Sequence, residues 1–207
     1  NGFGGYRPDQ FPIPQADPPI QPAGWAFSIW GLIFAWLVAG SAFGAWKRRE
    51  DPDWQPMRPA LLVSLALGAF WIETAHRTPI GATVLIVAML VPALAAFLRA
   101  GRQDAVWQVR PVALYAGWLT AATGASFGLV LGGFGVMSEQ AAAILCLLAM
   151  LGLGEWLDLP RLETSQAIFV WPGMSYAAIL SGSLVAVLLN HPTGFRCLWR
   201  LCGWNGA

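Results

Sequence analysis

From Trp25 to Trp46 the chain runs for 22 residues without a charge. As a helix rising 1.5 Å per residue, that run covers about 33 Å, enough to cross a bilayer core of about 30 Å. A Trp stands at each end, and Lys47, Arg48 and Arg49 close it. Amphipathic indole rings favour the membrane–water boundary, and cations stay in water beyond it. The whole chain shares this character. Of its 207 residues, 57% are hydrophobic and 11% are charged, against roughly 25% charged in soluble domains. A chain this short cannot bury such an excess in a core of its own making. The aromatic set is skewed the same way, with 12 Trp and 3 Tyr.

Further apolar runs follow. Ala60–Thr74 is short and ends at Glu73, with His76, Arg77 and Pro79 behind it. Ile80–Leu98 is closed by Arg99 and Arg102. Pro111–Val136 begins with a first-turn Pro, which a helix tolerates, and Gly132-Gly133 predicts an early end to that helix. A fifth run spans about Ser138–Leu157, with Glu139 favourable in its first turn. A sixth spans Ala167–Asn190 and stops at His191-Pro192. The expected architecture is an all-α, polytopic transmembrane bundle of about six spans.

Residues 1–23 lack a period and are rich in Pro and Gly; Phe11-Pro12-Ile13-Pro14 and Pro18-Pro19 favour extended geometry. They read as an ordered arm on the membrane surface or on the bundle. The chain starts without Met, so a removed leader and an earlier helix both remain open. With six spans, loops 47–59, 99–110 and 158–166 share one side. They carry Lys47, Arg48, Arg49, Arg58, Arg99, Arg102, Arg110 and Arg161, against Arg7, Arg77, Arg196 and Arg200 opposite. The positive-inside rule then puts both ends of the chain outside the cytoplasm, as expected in a bacterial inner or intracytoplasmic membrane. There Cys197 and Cys202 either pair or remain two interfacial thiols. Cys146, within an apolar run, reads as a small core hydrophobe.

Few side chains offer chemistry. Glu73, His76, Arg77 and Glu155 are the ionisable groups nearest the bilayer and are functional candidates for that reason; all lie near span ends, where solvated interface positions account for them. No metal cluster is visible, with two His in the chain. No nucleophile–base arrangement or phosphate-binding loop appears either, so an enzyme is not expected. A net charge of +1 gives nucleic acid no footprint. Gly124, Gly128 and Gly132 repeat at four-residue spacing on one helix face, with Gly117 on the same side; Gly40 and Gly44 repeat likewise in the first span. Small faces let helix backbones approach closely, for packing within the chain or for contact with a membrane-protein partner. Arg110, Tyr115 and Leu119 fit the inverted form of a proposed sterol-contact pattern, which is common by chance. In the first span Trp25, Leu32, Trp36 and Phe43 share one helical stripe, and Phe27, Trp30 and Phe34 form another. Such stripes serve packing, an interface belt or the wall of a flat ligand's pocket.

Pro22-Ala23-Gly24-Trp25-Ala26-Phe27-Ser28-Ile29-Trp30-Gly31-Leu32-Ile33-Phe34 resembles the signature of the TspO/translocator-protein family, also called tryptophan-rich sensory proteins or peripheral benzodiazepine receptors, in a divergent bacterial branch. Tyr115-x-x-Trp118-x-x-x-Ala122-Thr123 resembles the family's last helix, and Trp71 falls on a family Trp. The resemblance covers roughly residues 10–130. It implies that spans one to four, residues 24–136, form a TspO-like core equivalent to the second to fifth of five family helices. The first family helix would then precede Asn1, and residues 137–207 would form a two-helix C-terminal extension with a short tail. Gly68-Ala69 stands where the family has an Asn-Trp pair, and Ser126 where it has an Asn.

The resemblance further implies a pocket for porphyrin, haem or another flat hydrophobic ligand, in sensing, transport or regulation. Trp25, Phe27, Trp30, Trp71, Tyr115 and Trp118 would line it. A (bacterio)chlorophyll-type pigment belongs to the same chemistry, and lipids are expected around the bundle. The alternative is a non-catalytic structural or assembly subunit of a larger membrane complex, such as a photosynthetic pigment–protein one. Its partners would meet the glycine faces or the last two helices. A small-solute transporter is a third reading.

Overall fold

The computed structural model describes residues 5–15, 18–22, 24–101 and 103–162, and the side chains of all of these except residues 24, 25, 151 and 154–162. Among the described residues the protein is all-helical: a 3-10 turn at Gly24–Ser28, then α1 (Ile29–Lys47), α2 (Arg58–Gly68), α3 (Trp71–Arg77), α4 (Pro79–Arg99), α5 (Val109–Gly133) and α6 (Glu139–Leu162). Among the described residues four stretches are long and apolar enough to cross a membrane: Ala26–Lys47, Arg58–Arg77, Pro79–Arg99 and Val109–Gly133. Within the fully described part of α6, Glu139–Met150 is an apolar helix. The sixth expected span, Ala167–Asn190, and the Cys197–Cys202 question lie outside the described residues.

The second expected span is two helices. α2 ends at Gly68 and α3 begins at Trp71, joined by a tight turn in which the Phe70 N–H bonds the Leu67 carbonyl at 3.1 Å. Gly is the weakest helix former apart from Pro, and the break falls there. Thr78 alone separates α3 from α4. It is extended (φ −151°, ψ 120°), a conformation favoured here because the Pro79 ring disfavours the helical region for its neighbour. The first span also begins differently from a single helix: its Gly24–Ser28 segment is 3-10. The fourth ends at Gly133, as Gly132-Gly133 predicted.

α5 is the centre of the bundle. Of its most apolar stretch 78% is buried, against 22% for the first span. Its sequence is rich in Ala, Gly, Thr and Ser, so neighbours approach it from several sides, and a helix apolar all round belongs in a core. α4 lies along α5, α2 and α3 along α4, α6 along α5, and α1 packs on α5. Leu147 of α6 touches the cluster containing Leu94 of α4 and Ala121 of α5, so α6 flanks α5 on the α4 side.

The glycine faces are filled from within the chain. A Cβ at Gly40 would strike the Trp107 carbonyl, and one at Gly44 the Trp54 ring. At Gly124 it would strike Met150 of α6 and at Gly128 Ile20 of the arm, and at Gly132 it would press on the Glu139 side chain. Gly117 is buried in α5.

The arm lies on the end of the bundle where α3, α4, α5 and α6 converge. Gln10 Nε2 donates to the Ala75 carbonyl at 2.9 Å, the Ile13 N–H to the Gly133 carbonyl at 2.9 Å, and Gln15 Nε2 to Glu139 at 3.1 Å. Phe11 and Ile20 are buried, and Phe11 packs edge-on to Tyr6 and Phe134. Prolines carry no N–H, so this extended segment packs against the helices with few donors left to satisfy.

The opposite end is clasped by ionic and aromatic contacts between loops. Arg48 Nε donates to Asp104 at 2.8 Å, and Trp54 Nε1 donates to the same carboxylate at 3.0 Å. Gln108 Nε2 donates to the Asp53 carbonyl at 2.9 Å. Trp54 is 1% exposed, and Phe43 stands between it and Trp107, stacked on the latter at 5.5 Å. The Arg48 guanidinium, and secondarily Trp54, holds the Asp104 carboxyl below the usual carboxylate range against the opposing effect of burial.

Candidate functional site: an aromatic cleft between α1 and α2–α3

The second aromatic stripe of the first span meets α5. Phe34 stacks on Trp30, with centroids 5.1 Å apart and planes 17° apart. Trp30 stands edge-on to Trp118 at 6.1 Å and tilted to Tyr115 at 6.3 Å. Phe27 meets Trp118 edge-on at 6.1 Å. These are the offsets that ring quadrupoles favour. They follow from sequence spacing: positions 27, 30 and 34 lie on one helical face, and 115 and 118 are one turn apart on α5.

The aromatics wall a cleft of about 540 Å³, lined by Phe27, Trp30, Phe34, Leu65, Gly68, Ala69, Trp71, Ile72, Met89 and Tyr115. Gly68 and Ala69 present almost no side chain, so space opens opposite Trp30. The Trp71 indole N–H donates to the Ala82 carbonyl at 3.2 Å, which fixes its ring in the wall.

Tyr115 is 1% exposed, and its hydroxyl lies 2.8 Å from the Ser64 hydroxyl. Ser64 itself donates to the Met89 carbonyl at 2.7 Å. Ser64 thereby finds an acceptor on the neighbouring helix α4 inside the apolar bundle. Ser64 was not foreseen as a site residue. A lone hydroxyl inside the apolar run Leu61–Leu65 was its signal, since a polar group in lipid must find a partner.

A smaller void of about 30 Å³, room for a water molecule, adjoins the cleft and is lined by Phe27, Trp71, Trp118, Ser126, Leu129 and the arm residues Tyr6, Gln21 and Pro22, among others. The arm is its roof. The Tyr6 hydroxyl lies 3.3 Å from the Ser126 hydroxyl, so Ser126 helps to hold the arm. Burial pushes the Tyr6 hydroxyl pKa up, offset in part by its bonds to Ser126 and Thr83. The Trp118 indole N–H is buried with no hydrogen-bond partner among the described residues.

Five of the six expected pocket residues therefore converge: Phe27, Trp30, Trp71 and Tyr115 on the cleft, and Trp118 on the void beside it. The Trp25 side chain lies outside the described residues. The first aromatic stripe divides: Leu32 faces outward, while Trp36 donates its N–H to the Val106 carbonyl at 2.9 Å. Glu73 and Arg77 are exposed and pair with each other across one turn at 2.7 Å, an interface arrangement; the Glu155 side chain is outside the described residues. Cys146 is buried. Tyr115 and Leu119 of the sterol-contact pattern are buried in the bundle and show no face to lipid. Among the described residues no three His, Cys, Asp or Glu side chains come together as a metal site.

Fold and cleft together define a polytopic helical membrane protein with a ligand-sized aromatic recess. The family model for TSPO-like proteins matches residues 14–182, and the chain belongs to that family. The match continues past residue 130, where the recognisable motifs end, through α6. No curated protein and no solved structure matches the chain.

Proposed function

We propose that the protein binds a tetrapyrrole or similarly flat hydrophobic ligand in the aromatic cleft, in a non-catalytic sensing, transport or regulatory role. One observation carries this reading: a cleft of about 540 Å³ walled by Phe27, Trp30, Phe34, Trp71 and Tyr115. Ligand sites typically occupy about 300–1,000 Å³, with apolar and aromatic walls and few polar groups. Flat rings stack on Trp and exclude water. The buried Trp118 N–H, which has no partner among the described residues, leaves one donor beside the cleft unused. A bacterial inner or intracytoplasmic membrane, with the arm on its non-cytoplasmic side, fits the distribution of Lys and Arg.

Titrating the purified protein with protoporphyrin while following Trp fluorescence tests the reading. Saturable quenching is expected, and Trp30→Leu weakens it about tenfold, the value of one lost ring contact of about 1.4 kcal/mol. Quenching no greater than that of a Trp-rich control bundle overturns the proposal.

An assembly role would draw on other surfaces. The glycine faces are occupied, whereas Ile144, Leu145 and Leu148 of α6 are exposed. Co-purification of a stoichiometric membrane partner in mild detergent would favour that role; migration as a lone species would count against it.

A further inference from the structure

A second and larger void lies at the other end of the same interhelical cleft. It measures about 800 Å³ and is lined by Ser41, Gly44 and Ala45 of α1, Arg49 of the following loop, Trp54 and Met57, and Arg58, Leu61, Leu62 and Leu65 of α2, among others. Leu65 also lines the aromatic cleft, so the two voids lie end to end between α1 and α2. Small residues on α1 and aliphatic ones on α2 leave a trough with two cations at its mouth.

Those cations are not neutralised. Among the described residues neither Arg49 nor Arg58 has a carboxylate within ion-pair distance; the ion pairs belong to Arg7, Arg48 and Arg77. Arg58 is held in place by carbonyls. Its guanidinium donates to Arg49 at 2.7 Å, Gly44 at 3.2 Å and Arg48 at 2.7 Å, closing the C-terminus of α1. A guanidinium has five donors in a fixed fork that matches phosphate, so donors remain after those three bonds. Arg49 is exposed beside it.

The dimensions suit an acyl chain. The 11 residues of α2, Arg58 to Gly68, rise about 15 Å from first to last, half of a bilayer core of about 30 Å. A chain whose phosphate sits at Arg58 therefore runs past Leu65, where the two voids meet, and its end lies beside Gly68 at the edge of the aromatic cleft. We propose that this trough binds an anionic phospholipid, its phosphate at Arg49 and Arg58 and an acyl chain along Ala45, Leu61, Leu62 and Leu65. Basic recesses between transmembrane helices are where anionic headgroups settle, and the aliphatic wall behind the cations selects a lipid over a soluble anion. The site stands independently of tetrapyrrole binding.

Native mass spectrometry of the full chain, extracted from membranes holding equal phosphatidylglycerol and phosphatidylcholine, tests it. Retention of phosphatidylglycerol over phosphatidylcholine by at least fivefold is expected. Arg49→Gln should remove most of that preference. Ala45→Phe, which keeps every charge and fills the trough, should lower total lipid retention at least threefold. Lys47→Gln, on a cation that does not line the trough, should leave both unchanged. Equal retention of the two lipids overturns the site. So does loss of preference with Lys47→Gln matching that with Arg49→Gln, since diffuse surface charge would then suffice, or full retention by Ala45→Phe. A lipid-free dimer would instead assign the trough to a second copy and equally overturn the proposal. Helicity by circular dichroism identifies a misfolded variant, and the wild-type lipid comparison decides without any variant.

Discussion

Gly40 and Asp104 show how single residues set this structure. Gly40 sits where a Cβ would meet the backbone carbonyl of Trp107, and backbone cannot swing aside as a side chain can. Gly40→Ala is expected to push α1 from the 100–108 loop and cost about 1–3 kcal/mol, the usual range for overpacking, read as a lower unfolding temperature in detergent. Asp104 accepts from both Arg48 and Trp54, and its carboxyl pKa is held below the ordinary value near 3.9. A depressed folded-state pKa gives stability that is complete above about pH 5 and is lost as pH falls through the folded value. Unfolding temperature should therefore drop below pH 4 in the wild type. Asp104→Asn should start lower at neutral pH and show a flatter acid limb. An identical acid limb in the variant would mean that another carboxylate carries the effect.

At the scale of elements, two docking events are exposed to test. Phe11 is one of the arm's anchors, 5% exposed and packed on Gly133, Tyr6 and Phe134. Phe11→Ala removes an aromatic worth about 3–5 kcal/mol when buried, which exceeds what the arm's few hydrogen bonds return. The arm should then become sensitive to protease while helical content stays constant. α6 is held where Met150 lies across Gly124. Gly124→Leu should displace it and expose Cys146, now 7% accessible. In a Cys197→Ser/Cys202→Ser background, maleimide labelling of Cys146 should rise from slow to rapid. These elements also show how far the sequence could be read. The runs that became α1, α4 and α5 were legible because uncharged length and terminal cations are local signals. The α2–α3 break was less so, because Gly68 permits a turn without compelling one.

For the whole molecule, the cleft follows from an imbalance in packing. α5 is surrounded, whereas α1 packs principally on α5 and leaves a gap towards α2. That gap holds an aromatic half and a cationic, aliphatic half. If ligand and lipid meet at Leu65, filling the trough with Ala45→Phe should leave protoporphyrin affinity within about twofold, while Trp30→Leu weakens it; matched fluorescence titrations compare the two. The site was partly legible. Phe27, Trp30, Trp71, Tyr115 and Trp118 were marked by motif and helical spacing. Ser64, Met89 and the arm's Tyr6 were not, because each acquires its meaning from a neighbour far away in the chain; the Arg49–Arg58 mouth was not, because its loop has to fold back on the end of α1.

The sequence by itself determined that this is a helical membrane protein of the TSPO-like kind. Hydrophobic length, flanking charge and a local aromatic motif need no knowledge of neighbours. The tertiary structure decided which glycine faces are filled, where the arm lies and which aromatics share a wall. Along the uncharged run that opens the chain's first span, it decided that one aromatic stripe closes on α5 while the side towards α2 stays open. Those outcomes depend on side-chain volumes summed across helices, where the small residues Gly68 and Ala69 leave space opposite Trp30.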